Sequence, residues 1–272
     1  MNIRTRNNVR IVGDGAVTLV MAHGFGCDQN MWRFIVPDFS DRYRVVLFDY
    51  VGYGGSEVSH YDTDKYATLE GYASDLIEVV HAVGGGPVVL IGHSVSAMIG
   101  LLADKREPGI FDAHVMIGPS PSYINDGDYV GGFERQDIDE LLATLEGNYL
   151  GWSSNMAPAI MGAPDRPELA DELTNSFCRT DPRIAAQFAR ATFLSNNLGD
   201  LTNLRAPTLI LQSTEDMIAP LSVGEHLHRT IPNSTLRLVP NTGHCPHLSA
   251  PRCCVAEIDA FLGALALEAS VA

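Results

Sequence analysis

Ile91-Gly92-His93-Ser94-Val95-Ser96-Ala97-Met98 is the stretch on which the fold turns. It lies where the apolar run Pro87-Val88-Val89-Leu90-Ile91, which reads as a buried strand, gives way to a helix. A serine on such a tight strand-to-helix turn has its hydroxyl held out above the sheet edge, and small neighbours let the chain bend that sharply. The segment misses the G-x-S-x-G pattern by one residue, because Ser96 occupies the last glycine position. On this segment alone Ser94 reads equally well as a nucleophile or as an ordinary helix N-cap.

Working outward, the same strand-then-helix rhythm fills the first 119 residues. Val17-Thr18-Leu19-Val20-Met21-Ala22, Arg44-Val45-Val46-Leu47-Phe48 and Ala113-His114-Val115-Met116-Ile117 are further buried strands. Between the second of these and the strand at 87–91, Leu69, Tyr72, Ala73, Leu76, Ile77, Val80 and Val83 form one apolar helical stripe. Strands separated by helices predict parallel pairing. From 120 to 196 no strand is expected. Helical stripes run through Ile138, Leu141, Leu142, Leu145 and Tyr149, through Leu169, Leu173 and Phe177, and through Ile184, Phe188 and Ala191. Pro167 and Thr180-Asp181-Pro182 are start signals. Strands resume at 207–211 and 235–239, and a last helix is expected to be capped by Ser249 and opened by Pro251. The expectation is an α/β core from 1–119 and 197–272 with a helical lid at 120–196.

Ser94 needs partners. A serine hydroxyl becomes a nucleophile when an imidazole takes its proton, and a carboxylate must fix that imidazole's tautomer. Asp216 follows the strand at 207–211 and His244 follows the strand at 235–239, in the order Ser, acid, His. Glu215 is a rival acid. His23-Gly24-Phe25-Gly26, directly after the strand at 17–22, can aim the Phe25 N–H at a developing oxyanion, with Val95 N–H as the second donor.

Other chemistries find less support. The formal net charge of −15 repels phosphate backbones and anionic lipid, and no Lys/Arg cluster offsets it, so neither nucleic acid nor a membrane is an expected partner. No apolar run approaches a membrane span, and the arginine-bearing start, Met1 to Arg10, lacks the apolar core of a signal peptide. Five cysteines, an odd count without regular spacing, point to a reducing, cytoplasmic setting rather than a disulfide framework. Gln29 and Glu57 stand where a dinucleotide fingerprint needs a third glycine, and Gly84-Gly85-Gly86 precedes a strand instead of following one. His244-Cys245-Pro246-His247 lacks the companion ligand pair of a zinc site, so no metal is expected. His81, His226 and His228 read as solvated, and the remaining cysteines as packing thiols.

Gly92-His93-Ser94-Val95-Ser96-Ala97-Met98-Ile99-Gly100 resembles the nucleophile region of the karrikin and strigolactone receptors of plants and their bacterial relative RsbQ, where a serine at the Ser96 position is usual in part of the family. Four segments look more like RsbQ: 23–29 (HGFGCDQ), 118–121 (GPSP), 148–152 (NYLGW) and 243–247 (GHCPH). The resemblance runs nearly end to end. It implies an α/β-hydrolase fold, a mostly parallel twisted sheet with helices on both faces, and a four-helix V-shaped lid over an apolar pocket. It also implies Ser94, Asp216 and His244 as the triad, which prefers Asp216 to Glu215. Matching positions place Phe25, Phe133, Trp152, Met156, Phe193 and Ile218 around the pocket. The implied activity is hydrolysis of small hydrophobic esters or lactones without a cofactor. The alternative is ligand sensing with slow turnover and a protein partner, such as a PAS-containing phosphatase like RsbP in a stress pathway.

Overall fold

Side chains that alternate along the buried strands sort onto two faces, and each face gathers its own helices. The computed structural model describes residues 2–265. Its strands are β1 (Arg10–Val12), β2 (Thr18–Ala22), β3 (Arg44–Leu47), β4 (Val88–His93), β5 (Ala113–Ile117), β6 (Thr208–Glu215) and β7 (Ser234–Thr242). They form one sheet in the order β1-β3-β2-β4-β5-β6-β7, parallel except for β1, which runs antiparallel on β3. Six strands coincide with the apolar runs. β1 was not expected, because three largely solvated edge residues leave no apolar signature.

Leu19, Met21, Val89 and Ile91 face one core, and Val20, Ala22, Val88 and Leu90 face the other. The second core takes α1 (Leu69–Val83), α2 (Val95–Arg106) and α7 (Leu221–Thr230). The first takes α8 (Pro251–Ala264) and Trp32, Ile35 and Phe39. α2 is buried continuously from Val95 to Ala103, which explains its lack of an amphipathic stripe.

Four helices lie between β5 and β6: α3 (Arg135–Gly147), α4 (Tyr149–Met161), α5 (Pro167–Arg179) and α6 (Pro182–Phe193). Pro167 opens α5, and the Asp181 side chain accepts from Arg183 N–H to start α6. The single stripe expected from Ile138 to Tyr149 is two helices. Asn148 leaves helical geometry, and its side chain accepts from Gly151 N–H to begin α4. Ser249 is not the cap of α8 either. It ends a short helix (Pro246–Ser249), and its hydroxyl donates to Asn241 Oδ1, while Ala250 flanks α8. Cys27, Cys245 and Cys254 are packing thiols, but Cys178 and Cys253 sit on outward helix faces and are exposed. No helix of the described residues is long and apolar enough to cross a membrane.

The chain leaves β2 for β3 on one side and later returns to β4 on the other. That reversal opens a crevice at the carboxyl ends of β2 and β4, where ligands of open parallel sheets bind.

Candidate active site

Ser94 sits at the mouth of that crevice in a backbone state that L-residues avoid, φ 55° and ψ −123°. Its N–H donates to Ile117 O on β5 at 2.8 Å, so the neighbouring strand holds the turn. Gly92 is required two residues earlier, because a Cβ there would lie 2.8 Å from Ser96 O and 2.9 Å from Ala97 N. Ser96, the departure from the glycine pattern, is fully buried and doubly bonded. Its hydroxyl donates to His23 O at 2.5 Å and accepts from Tyr50 OH at 2.9 Å. The extra hydroxyl therefore ties the elbow after β4 to the loop after β2.

His244 reaches Ser94 from the loop after β7, with Nε2 2.8 Å from Ser94 Oγ. Its Nδ1–H donates to Asp216 Oδ2 at 2.7 Å, which leaves Nε2 as the acceptor facing the serine. Asp216 follows β6, and its other oxygen accepts from Ile218 N–H at 2.8 Å and Ala219 N–H at 3.1 Å. Burial pushes this carboxyl up. The charge and hydrogen bond of His244 and the two amides outweigh burial, so its pKa lies below the ordinary value of 3.8. Glu215, the rival, turns outward to accept from Thr242 Oγ1. The His244 backbone is pinned on both sides: its N–H donates to Ile160 O on α4, and His93 Nε2–H donates to its carbonyl at 2.9 Å. Burial, and then the neighbouring His244, push His93 down to about 3, so it is neutral.

Phe25 stands in the loop after β2, and Val95 is the first residue of α2, where helix amides lack intrahelical partners. The loop is set by neutral groups. His23 Nδ1–H donates to Gly24 O, and Tyr50 N–H donates to His23 Nε2. Gly26, at φ 72°, has the Phe177 ring where a Cβ would be, so only glycine lets α5 lie on this loop. Buried Asp49 accepts from Gln29 N–H, Gln29 Nε2, Asn8 Nδ2 and Gly55 N–H, locking the chain behind it.

Above Ser94 lies a narrow cavity of about 30 Å³, room for little more than a water-sized group. Phe25, Trp152, Met156, Phe193 and Ile218 line it, together with Ser94 and His244. Phe133 does not. It packs against the core just ahead of α3, held by backbone bonds to Tyr123 and Asn125. Sequence reasoning missed Cys27, Tyr123, Phe177 and Thr192, which also line the cavity. Tyr123 had a signal, since it follows the carboxyl end of β5 beside the crevice. The others sit within helical or loop patterns that read as packing. Among the described residues, no cluster of three or more His, Cys, Asp or Glu is arranged to hold a metal ion.

Residues 19–255 match the model of the Alpha/beta hydrolase family. A hydrolase from Oleispira antarctica superposes with a TM-score of 0.94 at 42% identity, covering 97% of each chain. A karrikin insensitive 2 receptor of Petunia hybrida is 38% identical over 92% of this chain and 93% of its own. A strigolactone esterase of Arabidopsis thaliana is 39% identical over 92% of this chain and 94% of its own. With these likenesses spanning core, elbow and the helices above it, the chain belongs to the alpha/beta hydrolase family.

Proposed function

We propose that the protein is a serine hydrolase that acts by acyl transfer on small hydrophobic esters or lactones. The observation that carries this reading is the chain Ser94 Oγ, His244, Asp216, with 2.8 and 2.7 Å links, opening into a cavity lined mostly by apolar side chains. His244 Nε2 takes the Ser94 proton as Oγ attacks the carbonyl carbon, and the Phe25 and Val95 amides face the oxyanion. As the intermediate collapses, the C–O bond breaks and His244 returns the proton to the leaving oxygen. A lactone opens and stays tethered as the acyl group. Water, deprotonated by His244, then attacks the acyl carbon; the bond to Ser94 Oγ breaks, and His244 returns that proton to Oγ, freeing the acid and Ser94. Asp216 holds the imidazole tautomer throughout. No cofactor enters these steps. Residues 120–196 act as the lid that excludes water from them.

Two relatives support the choice of ligand class, one a strigolactone esterase and one a karrikin receptor. A burst-phase assay with p-nitrophenyl acetate, wild type beside Ser94→Ala, tests it. A burst in wild type alone is the expected result, and equal rates would overturn the triad.

The second reading is a ligand sensor with slow turnover. It is favoured by how closed the site is, with Ser94 5% and His244 4% exposed. In that role the protein works in the cytoplasm, and the lid surface meets a partner when a ligand binds. The RsbQ-like segments at 23–29, 118–121, 148–152 and 243–247 point to a PAS-containing phosphatase like RsbP. Ligand-dependent capture of such a phosphatase, with slow ester turnover, is the outcome this reading expects.

A further inference from the structure

Six serines and threonines lie within the four helices between β5 and β6, and five of them are bonded within the protein. Thr144, Ser153, Ser154 and Thr174 donate to the carbonyl one turn back, and Ser176 donates to Gly26 O. The sixth, Thr192 on α6, has no hydrogen-bond partner for Oγ1 among the described residues, although the residue is only 1% exposed. It lines the cavity above Ser94. Of the other polar groups of that wall, Tyr123 OH is 3.5 Å from Ser94 Oγ, and His93 Nε2 and His244 are bonded as described above. His93 Nδ1 is also without a partner among the described residues, but with the proton on Nε2 it is an acceptor, not a donor. A buried hydroxyl left without a partner is costly, and donors are left unpaired more rarely than acceptors. An apolar residue at 192 would close the same wall without that cost.

We propose that Thr192 is a polar subsite that donates a hydrogen bond to a second oxygen of the ligand, one that is not part of the scissile group. The inference rests on the cavity above Ser94 being the ligand site. It narrows the ligand to a small, neutral ester or lactone that carries one additional ether or carbonyl oxygen on an otherwise apolar frame. Neutrality follows from the lining, which contains no Lys, Arg, Asp or Glu among the described residues, so a charged ligand would be desolvated without a countercharge.

The test is made on the Ser94→Ala protein, so that binding is read apart from turnover. The probes are p-nitrophenyl pentanoate and its two isosteric ether analogues, p-nitrophenyl 3-methoxypropanoate and p-nitrophenyl ethoxyacetate, with dissociation constants from calorimetry. At least one ether ester is expected to bind with a preference over the pentanoate that falls about fivefold on adding Thr192→Val and returns with Thr192→Ser. The melting temperature of Thr192→Val should not drop, because the lost hydroxyl had no partner in the protein. An unchanged preference in Thr192→Val, no binding of either ether ester, or a melting point lowered by several degrees overturns the subsite. Turnover of the pentanoate by wild type, absent in Ser94→Ala, judges the hydrolase reading separately.

Discussion

Acidification to pH 5 should weaken the fold through histidines that are buried neutral, and His114 is the cleanest of them. It lies on β5, 1% exposed, against Phe111, with neither ring nitrogen hydrogen-bonded. Burial alone pushes its pKa down to about 3. The unfolded chain titrates near 6.5, so the unfolded state takes up a proton between these values and the native state does not. Stability from this group is complete above pH 6.5 and is lost as the pH falls toward 3. At pH 5.0 the linkage amounts to about 2 kcal/mol, and it stays near that figure for any folded value below about 4. Urea unfolding at pH 7.5 and 5.0 measures it. His114→Leu, which removes the titration while keeping an apolar side chain of similar size, should lose about 2 kcal/mol less than wild type over that interval. His93 should add a similar share in both proteins. Equal losses in wild type and variant would falsify the assignment of a neutral, unpartnered His114.

Ser94→Ala should lower kcat on p-nitrophenyl esters on the order of 10⁵-fold or more, and Asp216→Asn about 10⁴-fold through the wrong His244 tautomer, both without loss of the circular-dichroism spectrum. Because the Asp216 carboxyl lies below 3.8, its ionised form and the stability tied to it should persist above that pH and fade only beneath it. An acid limb of kcat/KM near pH 4 that shifts on Asp216→Asn would contradict this. Ser96→Gly restores the general elbow glycine but removes the bonds to His23 O and Tyr50 OH, so it should destabilise the protein by about 1–3 kcal/mol and lower kcat more than it raises KM. Thermal melts and steady-state kinetics check both parts. Asp49→Ala strands four donors and should cost about 3 kcal/mol or more in urea titrations.

Six of the seven strands, the elbow at Ser94 and the order Ser94, Asp216, His244 could be read from the chain, because each depends on local signals. A run of β-branched residues buried on both sheet faces reads as a strand, and a serine between small residues at the end of that run reads as a turn. Glu215 and Asp216 could not be separated on residues alone. They are adjacent on one strand end, and only the backbone direction after β6 turns one toward His244 and the other toward Thr242. The break at Asn148, the short β1 and the cavity wall were also decided in three dimensions. Helical periodicity says which side of a helix is apolar but not what that side meets. Phe133 and Phe193 look alike in sequence, yet only Phe193 lines the cavity. Thr192 reads as an ordinary helical threonine until packing removes it from water and leaves its hydroxyl unpaired. Chain order and local pattern thus determined the fold and the order in which Ser94, Asp216 and His244 come to the crevice. The contents of the cavity were left to tertiary packing, because burial and hydrogen-bond satisfaction depend on neighbours distant in sequence.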